Sequence, residues 1–221
     1  MNRAQRSPVR KIGIQTRSMT GVIPEYGQFE SSLERDFMEL IRFDKNVELY
    51  SPQPLVISYI DKHNKKRTYT PDGLLEYRQD ISPAKEMKPI LCEIKYRADF
   101  RADWRNLISR FRAAKIFANE KGWEFKVFTE VEIRTPYLKN VRFLSGYLSD
   151  SYEIELQEAI IDKLSDLRES DPETIMFILF RDKWMRASAL PTLWYLIAMK
   201  RIGCELAEPL TMNSKIWTLE E

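Results

Sequence analysis

Apolar residues recur at helical spacing at Phe29, Leu33, Phe37, Leu40 and Ile41, which predicts a helix over about 29–43. Residues before this show no hydrophobic period. Pro54 to Ile60 reads as a strand, and a polar turn around His63 leads to a second strand over about 67–77, with Tyr69, Leu74, Leu75 and Tyr77. Asp80 to Lys88, which contains Pro83, reads as a loop. Ile90-Leu91-Cys92-Glu93-Ile94-Lys95 is short and largely apolar, as expected of a strand near the middle of a sheet. An amphipathic helix follows over about 100–121, with Trp104, Leu107, Ile108, Phe111, Ala114 and Ala118 on its apolar stripe and Gly122 as its stop. Phe125 to Thr129 alternates as a fourth strand.

Near residue 150 the pattern changes. Residues 152–168, about 172–182 and about 188–201 read as helices, the last starting at Ser188 to Pro191. The tail from Cys204 to Leu219 holds two short strand-like pieces around Pro209 to Ser214. The expected fold class is therefore α/β. A central mixed sheet flanked by helices occupies 28–150, and a small helical, winged-helix-like domain occupies 151–221.

Charge adds a third region. The net charge is only +2, yet the first 26 residues carry Arg3, Arg6, Arg10, Lys11 and Arg17 against one acid, Glu25. A basic arm over 1–27 is attracted to phosphate in a salt-dependent way, or is simply a solvated terminus. Cys92 and Cys204 are too few for a disulfide framework. No signal peptide is read, and no apolar run reaches about 18 residues, so a cytoplasmic chain without a membrane span is expected. One histidine and two distant cysteines cannot make an ordinary zinc site, and they argue against histidine-based nuclease chemistry. Any metal would be hard and held by oxygen.

Glu93 and Lys95 alternate with Cys92 and Ile94, so they project from the same face of a strand that otherwise reads as buried. Charges are rarely placed there without partners. Asp72, after Pro71 on the preceding strand, completes a cluster with Glu93 if the two strands are neighbours. Two carboxylates suit Mg²⁺, which activates water for phosphodiester hydrolysis, and a neighbouring lysine orients that water or stabilises developing charge. The plain alternative is a structural Glu93–Lys95 ion pair. Glu34 lies on the first helix at the edge of its buried face, where it becomes a third ligand or closes the capping box Ser31-x-x-Glu34. The long helix offers Arg101, Arg105, Arg112 and Lys115 either to phosphate or to solvent. The last helix is too apolar for a base reader and suits a core or a protein-binding surface.

Asp72, Glu93-x-Lys95, Glu34 and this order of elements resemble the PD-(D/E)xK nuclease superfamily. More closely, Ser32-Leu33-Glu34, Thr70-Pro71-Asp72-Gly73-Leu74-Leu75, Cys92-Glu93-Ile94-Lys95 and the run from Phe128 to Ile133 resemble TnsA, the endonuclease subunit of heteromeric transposases. The resemblance covers about residues 30–135. It places Glu34, Asp72, Glu93 and Lys95 in the catalytic roles, the three acids being metal ligands. The implied cofactor is Mg²⁺, with Mn²⁺ able to substitute. The implied activity is cutting of the 5′ strands at transposon ends, beside a TnsB-like transposase that cuts and joins the 3′ ends. A TnsC-like ATP-dependent regulator would engage the C-terminal domain, and the setting would be the bacterial nucleoid. Two other readings remain at this point. One is a stand-alone restriction-like or junction-resolving nuclease. The other is a non-catalytic scaffold bridging transposase and regulator.

Overall fold

The computed structural model describes residues 21–23 and 27–219. The basic positions of the expected arm, Arg3 to Arg17, lie outside the described residues. The chain forms two compact units that meet at Ile133 and Arg134, earlier than the change of pattern near residue 150 suggests. The reason is a helix that the hydrophobic pattern missed, over Pro136–Ser145, which belongs with the later helices.

The first unit runs β1 (Gly21–Ile23), β2 (Gly27–Phe29), α1 (Ser32–Phe43), β3 (Val47–Pro52), β4 (Ile57–Ile60), β5 (Lys66–Tyr69), β6 (Gly73–Tyr77), β7 (Ile90–Ile94), α2 (Arg97–Glu120), β8 (Glu124–Phe128) and α3 (Glu130–Ile133). Its central sheet has the order β3-β6-β7-β8. β7 and β8 are parallel, and α2 is the crossover that parallel strands require. The other neighbours are antiparallel. β4 and β5 form a separate hairpin.

Three local differences from the sequence reading shape the site. β3 was not expected, because Glu48, Ser51 and Pro52 interrupt its apolar run. The single strand expected over 67–77 is two, because Pro71 cannot donate to a ladder, and Asp72 stands at the break. The first helix starts at Ser32 rather than 29, since Phe29 belongs to β2 and Ser31 is the N-cap, its hydroxyl accepting from the Glu34 N–H at 3.1 Å.

The sheet is covered on both faces. Leu33, Phe37, Met38 and Ile41 of α1 pack against Tyr50, Leu75, Cys92 and Ile94. On the other face Leu74 and Leu91 meet Ala114 and Ala118 of α2, with Ile57 and Tyr69 of the hairpin. α2 ends at Lys121, and Gly122 takes the left-handed φ of 74° that favours glycine. Trp104, assigned to the apolar stripe of α2, is instead exposed.

The second unit contains α4 (Pro136–Ser145), α5 (Ile154–Leu167), β9 (Glu169–Ser170), α6 (Pro172–Leu179), α7 (Lys183–Ala198), β10 (Ile202–Cys204) and β11 (Ile216–Thr218). The three strands form an antiparallel sheet in the order β10-β11-β9. The tail strands flank the 209–214 segment rather than lying in it, and Asn140 fastens the intervening loop by donating to the carbonyls of Leu206 and Glu208 and accepting from the Leu210 N–H. α7 begins at the Asp182 cap, which accepts from the N–H groups of Trp184 and Met185, so Pro191 lies inside the helix rather than at its start. Leu193, Trp194, Leu196 and Ile197 are buried, which makes this half of α7 core. Among the described residues no helix is long and apolar enough to cross a membrane.

Candidate active site

The antiparallel register pairs Gly73 with Cys92, so Asp72 at the mouth of β6 arrives beside Glu93 on β7. Its Oδ2 accepts from the Ile94 N–H at 2.6 Å, which fixes the carboxylate against the end of the strand. Gly73 is required here, because a Cβ would collide with the ring of Tyr50. The Tyr50 hydroxyl donates to the Asp72 carbonyl at 3.4 Å.

Glu93 is 4% exposed, an unusual position for a carboxylate. Its Oε2 accepts a hydrogen bond from the buried Tyr69 hydroxyl. Its Oε1 lies 3.8 Å from Nζ of Lys95, whose side chain retains 27% of its surface against 5% for Glu93. The lysine head can thus meet a substrate while the glutamate cannot be freely solvated. Across the Tyr69 ring lies the guanidinium of Arg110, 6.0 Å from the centroid.

Glu34 closes a variant of the capping box, reaching back to the Glu30 N–H rather than to that of the Ser31 N-cap. Its Oε2 accepts from the Glu30 N–H at 2.8 Å and its Oε1 from the Ser31 hydroxyl at 2.9 Å. It is also electrostatically part of the site, since its charge raises the pKa of Asp72 and that of Glu93 raises its own. Capping does not exhaust it, because each carboxylate oxygen carries two lone pairs.

Burial is the main reason that Asp72, Glu93 and Glu34 all hold their protons more tightly than ordinary carboxylates. At Asp72 the neighbouring charges of Glu93 and Glu34 add to the effect, and the Ile94 N–H and Lys95 oppose it. At Glu93 the opposing groups are Tyr69, Lys95 and Arg110.

Such an excess of sheltered negative charge fits a cation. Among the described residues no group of three or more His, Cys, Asp or Glu side chains is arranged to hold a metal ion. Asp72 and Glu93 offer two carboxylate donors, a set that would fit Mg²⁺, an ion that keeps several waters and takes one or two carboxylates. The Cys92 thiol, on the opposite side of the strand from Glu93, donates to the Ile90 carbonyl at 3.4 Å, and burial raises its pKa. His63 lies in the β4–β5 turn.

Two residues of the site escaped the sequence reading. Tyr69 looked like an ordinary core position, although a buried tyrosine needs a partner for its hydroxyl, and that need was its only signal. Gln53, just after β3, has a left-handed φ of 46°. Its backbone N–H donates to the Asp72 carbonyl and its side-chain amide to the Glu30 carboxylate, each at 3.0 Å. It thereby ties the Asp72 segment to the start of α1, where Glu34 sits.

No curated protein matches the chain. Two family models do. The model described as TnsA-like endonuclease N terminal matches residues 44–130, a span that includes Asp72, Glu93 and Lys95 but not Glu34. The one described as TnsA endonuclease C terminal matches residues 132–206, beginning where the first unit ends. Together with the carboxylates and lysine gathered at the ends of β6 and β7, these matches show that the chain belongs to the TnsA family of transposon endonucleases.

Proposed function

We propose that this protein is the Mg²⁺-dependent endonuclease subunit of a heteromeric transposase, cutting the 5′ strands at transposon ends in the bacterial cytoplasm. The observation that carries the chemistry is the convergence of Asp72, Glu93 and Lys95, with two carboxylates sheltered and the ammonium open to solvent. Asp72 and Glu93 hold the cation, and Glu34 adds a third negative charge. Mn²⁺, with similar oxygen preference, substitutes for Mg²⁺. When bound, the ion supplies Lewis-acid polarisation of a phosphoryl oxygen and an acidified water. Lys95 orients the attacking water and stabilises charge developing on the phosphate. Tyr69 keeps Glu93 aimed by donating to one of its oxygens.

Residues 134–221 we read as a winged-helix-like partner domain. After α4, the order α5, β9, α6, α7 and the β10–β11 hairpin, with the small antiparallel sheet, supports this. Its partner is a TnsC-like regulator, while a TnsB-like transposase makes the 3′ cuts and joins. Phe177 and Trp184 are 68% and 72% exposed and offer aromatic anchors for such a contact. The contact surface thus lies on α6 and the start of α7, not on the buried second half of α7.

The test is a strand-resolved cleavage assay on transposon-end DNA with Mg²⁺ and the candidate partner transposase. Cuts on the 5′ strands that need this chain support the assignment. Cuts on the 3′ strands, or unchanged cutting without this chain, overturn it.

A further inference from the structure

Among the described residues of the first unit, positive charge gathers on one hairpin. The β4–β5 hairpin carries Lys62, Lys65, Lys66 and Arg67 against one acid, Asp61, a local balance of +3 in a chain whose net charge is +2. The acid is engaged within the turn. Asp61 accepts from the backbone N–H groups of His63 and Lys65 at 2.8 and 3.0 Å and from Nε of Arg67 at 3.0 Å. Those contacts, the Lys65 N–H first, hold its carboxyl down at about 2. Asn64 closes the turn with a left-handed φ of 57°, a conformation that asparagine tolerates. Among the described residues no carboxylate pairs with Lys62, Lys65, Lys66 or Arg105.

Between this hairpin and α2 lies a cleft of about 260 Å³, walled by Asp61, Lys62, His63 and Arg67 on one side and Arg105 and Asn106 on the other, with the charge of Asp61 offset by its ion pair to Arg67. It is anchored to the catalytic strand. Lys62 donates to Asn106 at 3.5 Å, Asn106 to Asp103 at 2.7 Å, and Arg110 to Asp103 at 3.3 Å. Arg110 in turn lies over the Tyr69 ring, and Tyr69 donates to Glu93. Arg67 and Tyr69 are alternate residues of β5 and share a face. At ~3.3 Å of rise per residue, the cleft opens roughly 7 Å along the strand from the residue that holds Glu93. Phosphates on one DNA strand advance by about 3.4 Å along the axis per nucleotide, so this offset corresponds to a few nucleotides.

We propose that the cleft between the β4–β5 hairpin and α2 binds backbone phosphates of the DNA flanking the cut, through Lys62, Arg67 and Arg105. The inference rests on the nuclease reading and adds to it the surface that seats the duplex. Contacts of this kind fix register and carry no base sequence.

The experiment uses the full chain and a fluorescein-labelled transposon-end duplex in EDTA, with affinity measured across a salt series. The variants are the double substitution Lys62→Ala/Arg105→Ala, the charge-preserving Lys62→Arg/Arg105→Lys, and Lys163→Ala/Lys215→Ala as a control in the second unit. Circular dichroism checks that each is folded. Losing two phosphate contacts flattens the slope of log affinity against log salt by about 1.8, at ~0.9 per phosphate. The charge-preserving pair and the control keep the wild-type slope. A steep wild-type slope that Lys62→Ala/Arg105→Ala leaves unchanged overturns the cleft assignment and leaves the nuclease reading standing. Absence of any salt-dependent duplex binding by the wild type also overturns the cleft assignment, whereas the nuclease reading stands or falls on strand cutting in the assembled reaction.

Discussion

The hydroxyl of Tyr69 donates a hydrogen bond to Oε2 of Glu93, and both side chains are buried. Tyr69→Phe removes only this donor and keeps the ring against α2. Glu93 then loses a contact that lowers its pKa, and it holds its proton more tightly still. Metal affinity measured by titration calorimetry should fall by about 10–100-fold, the usual cost of losing a group that orients a ligand. Wild-type affinity in a folded Tyr69→Phe protein would show that the phenol has no part in aiming Glu93.

Glu34→Gln separates charge from capping. A glutamine can still accept from the Glu30 N–H through its amide oxygen and donate to the Ser31 hydroxyl through its NH2 group, so thermal stability should change little. The negative charge is lost, and cutting should drop by at least about tenfold, which is roughly 1.4 kcal/mol of transition-state stabilisation. Near-normal turnover by Glu34→Gln would assign this residue to the helix start alone.

The raised carboxylate pKa values make the metal-free protein pH-sensitive. In the folded state Asp72 and Glu93 bind protons more tightly than in the unfolded chain. Stability from these groups is therefore present at low pH and lost as pH rises through their folded values. Asp61 and Asp80, whose pKa values are lowered, act in the opposite sense but only below the ordinary carboxylate range. In EDTA, Tm should fall as pH rises from the ordinary carboxylate range through the raised folded values, and Mg²⁺ should restore it. Asp72→Asn should raise the metal-free Tm at neutral pH by roughly 2–4 °C for each kcal/mol of repulsion relieved. A metal-free Tm that rises with pH across this interval, or Asp72→Asn destabilised at neutral pH, would contradict the electrostatic picture.

The strand Ile90–Lys95 was legible because two charges share one face of an otherwise apolar run, and Asp72 because Pro71 precedes it. Their neighbours were not. Tyr69 meets Glu93 only because the β4–β5 hairpin packs on a face of the central sheet, and Gln53 meets Asp72 only beside the β3–β6 pair, and local patterning carries no signal of either. β3 was hidden by its polar positions. The boundary at Arg134 was missed although Thr135-Pro136 is a reasonable helix start and Leu138, Val141 and Leu144 recur every three residues. The sequence pattern puts the start of α7 at Ser188 to Pro191, whereas the capping Asp182 marks it. Glu34 was legible both as a cap and as a site acid, and the structure shows the cap while leaving its charge within reach of Asp72 and Glu93.

The exposed aromatics of the second unit predict where a regulator docks. Phe177 and Trp184 should behave as anchors, each costing about 2 kcal/mol or more of binding when truncated, roughly thirtyfold in affinity. Phe177→Ala and Trp184→Ala in the full chain should lose capture of the candidate ATP-dependent regulator and keep wild-type circular dichroism. Undiminished capture by both variants would move the contact elsewhere.

The most direct measurement compares strand cutting by the wild type, Asp72→Ala and Lys95→Ala in the assembled reaction, with metal binding followed in parallel. Neither substitution removes core packing, so both proteins should fold. Wild type should cut in Mg²⁺ and not in EDTA. Asp72→Ala should lose cutting together with metal affinity. Lys95→Ala should lose cutting while still binding the ion, because its ammonium acts on the water and the phosphate. Cutting at wild-type rates by both folded variants would contradict the assignment of this site as the nuclease centre.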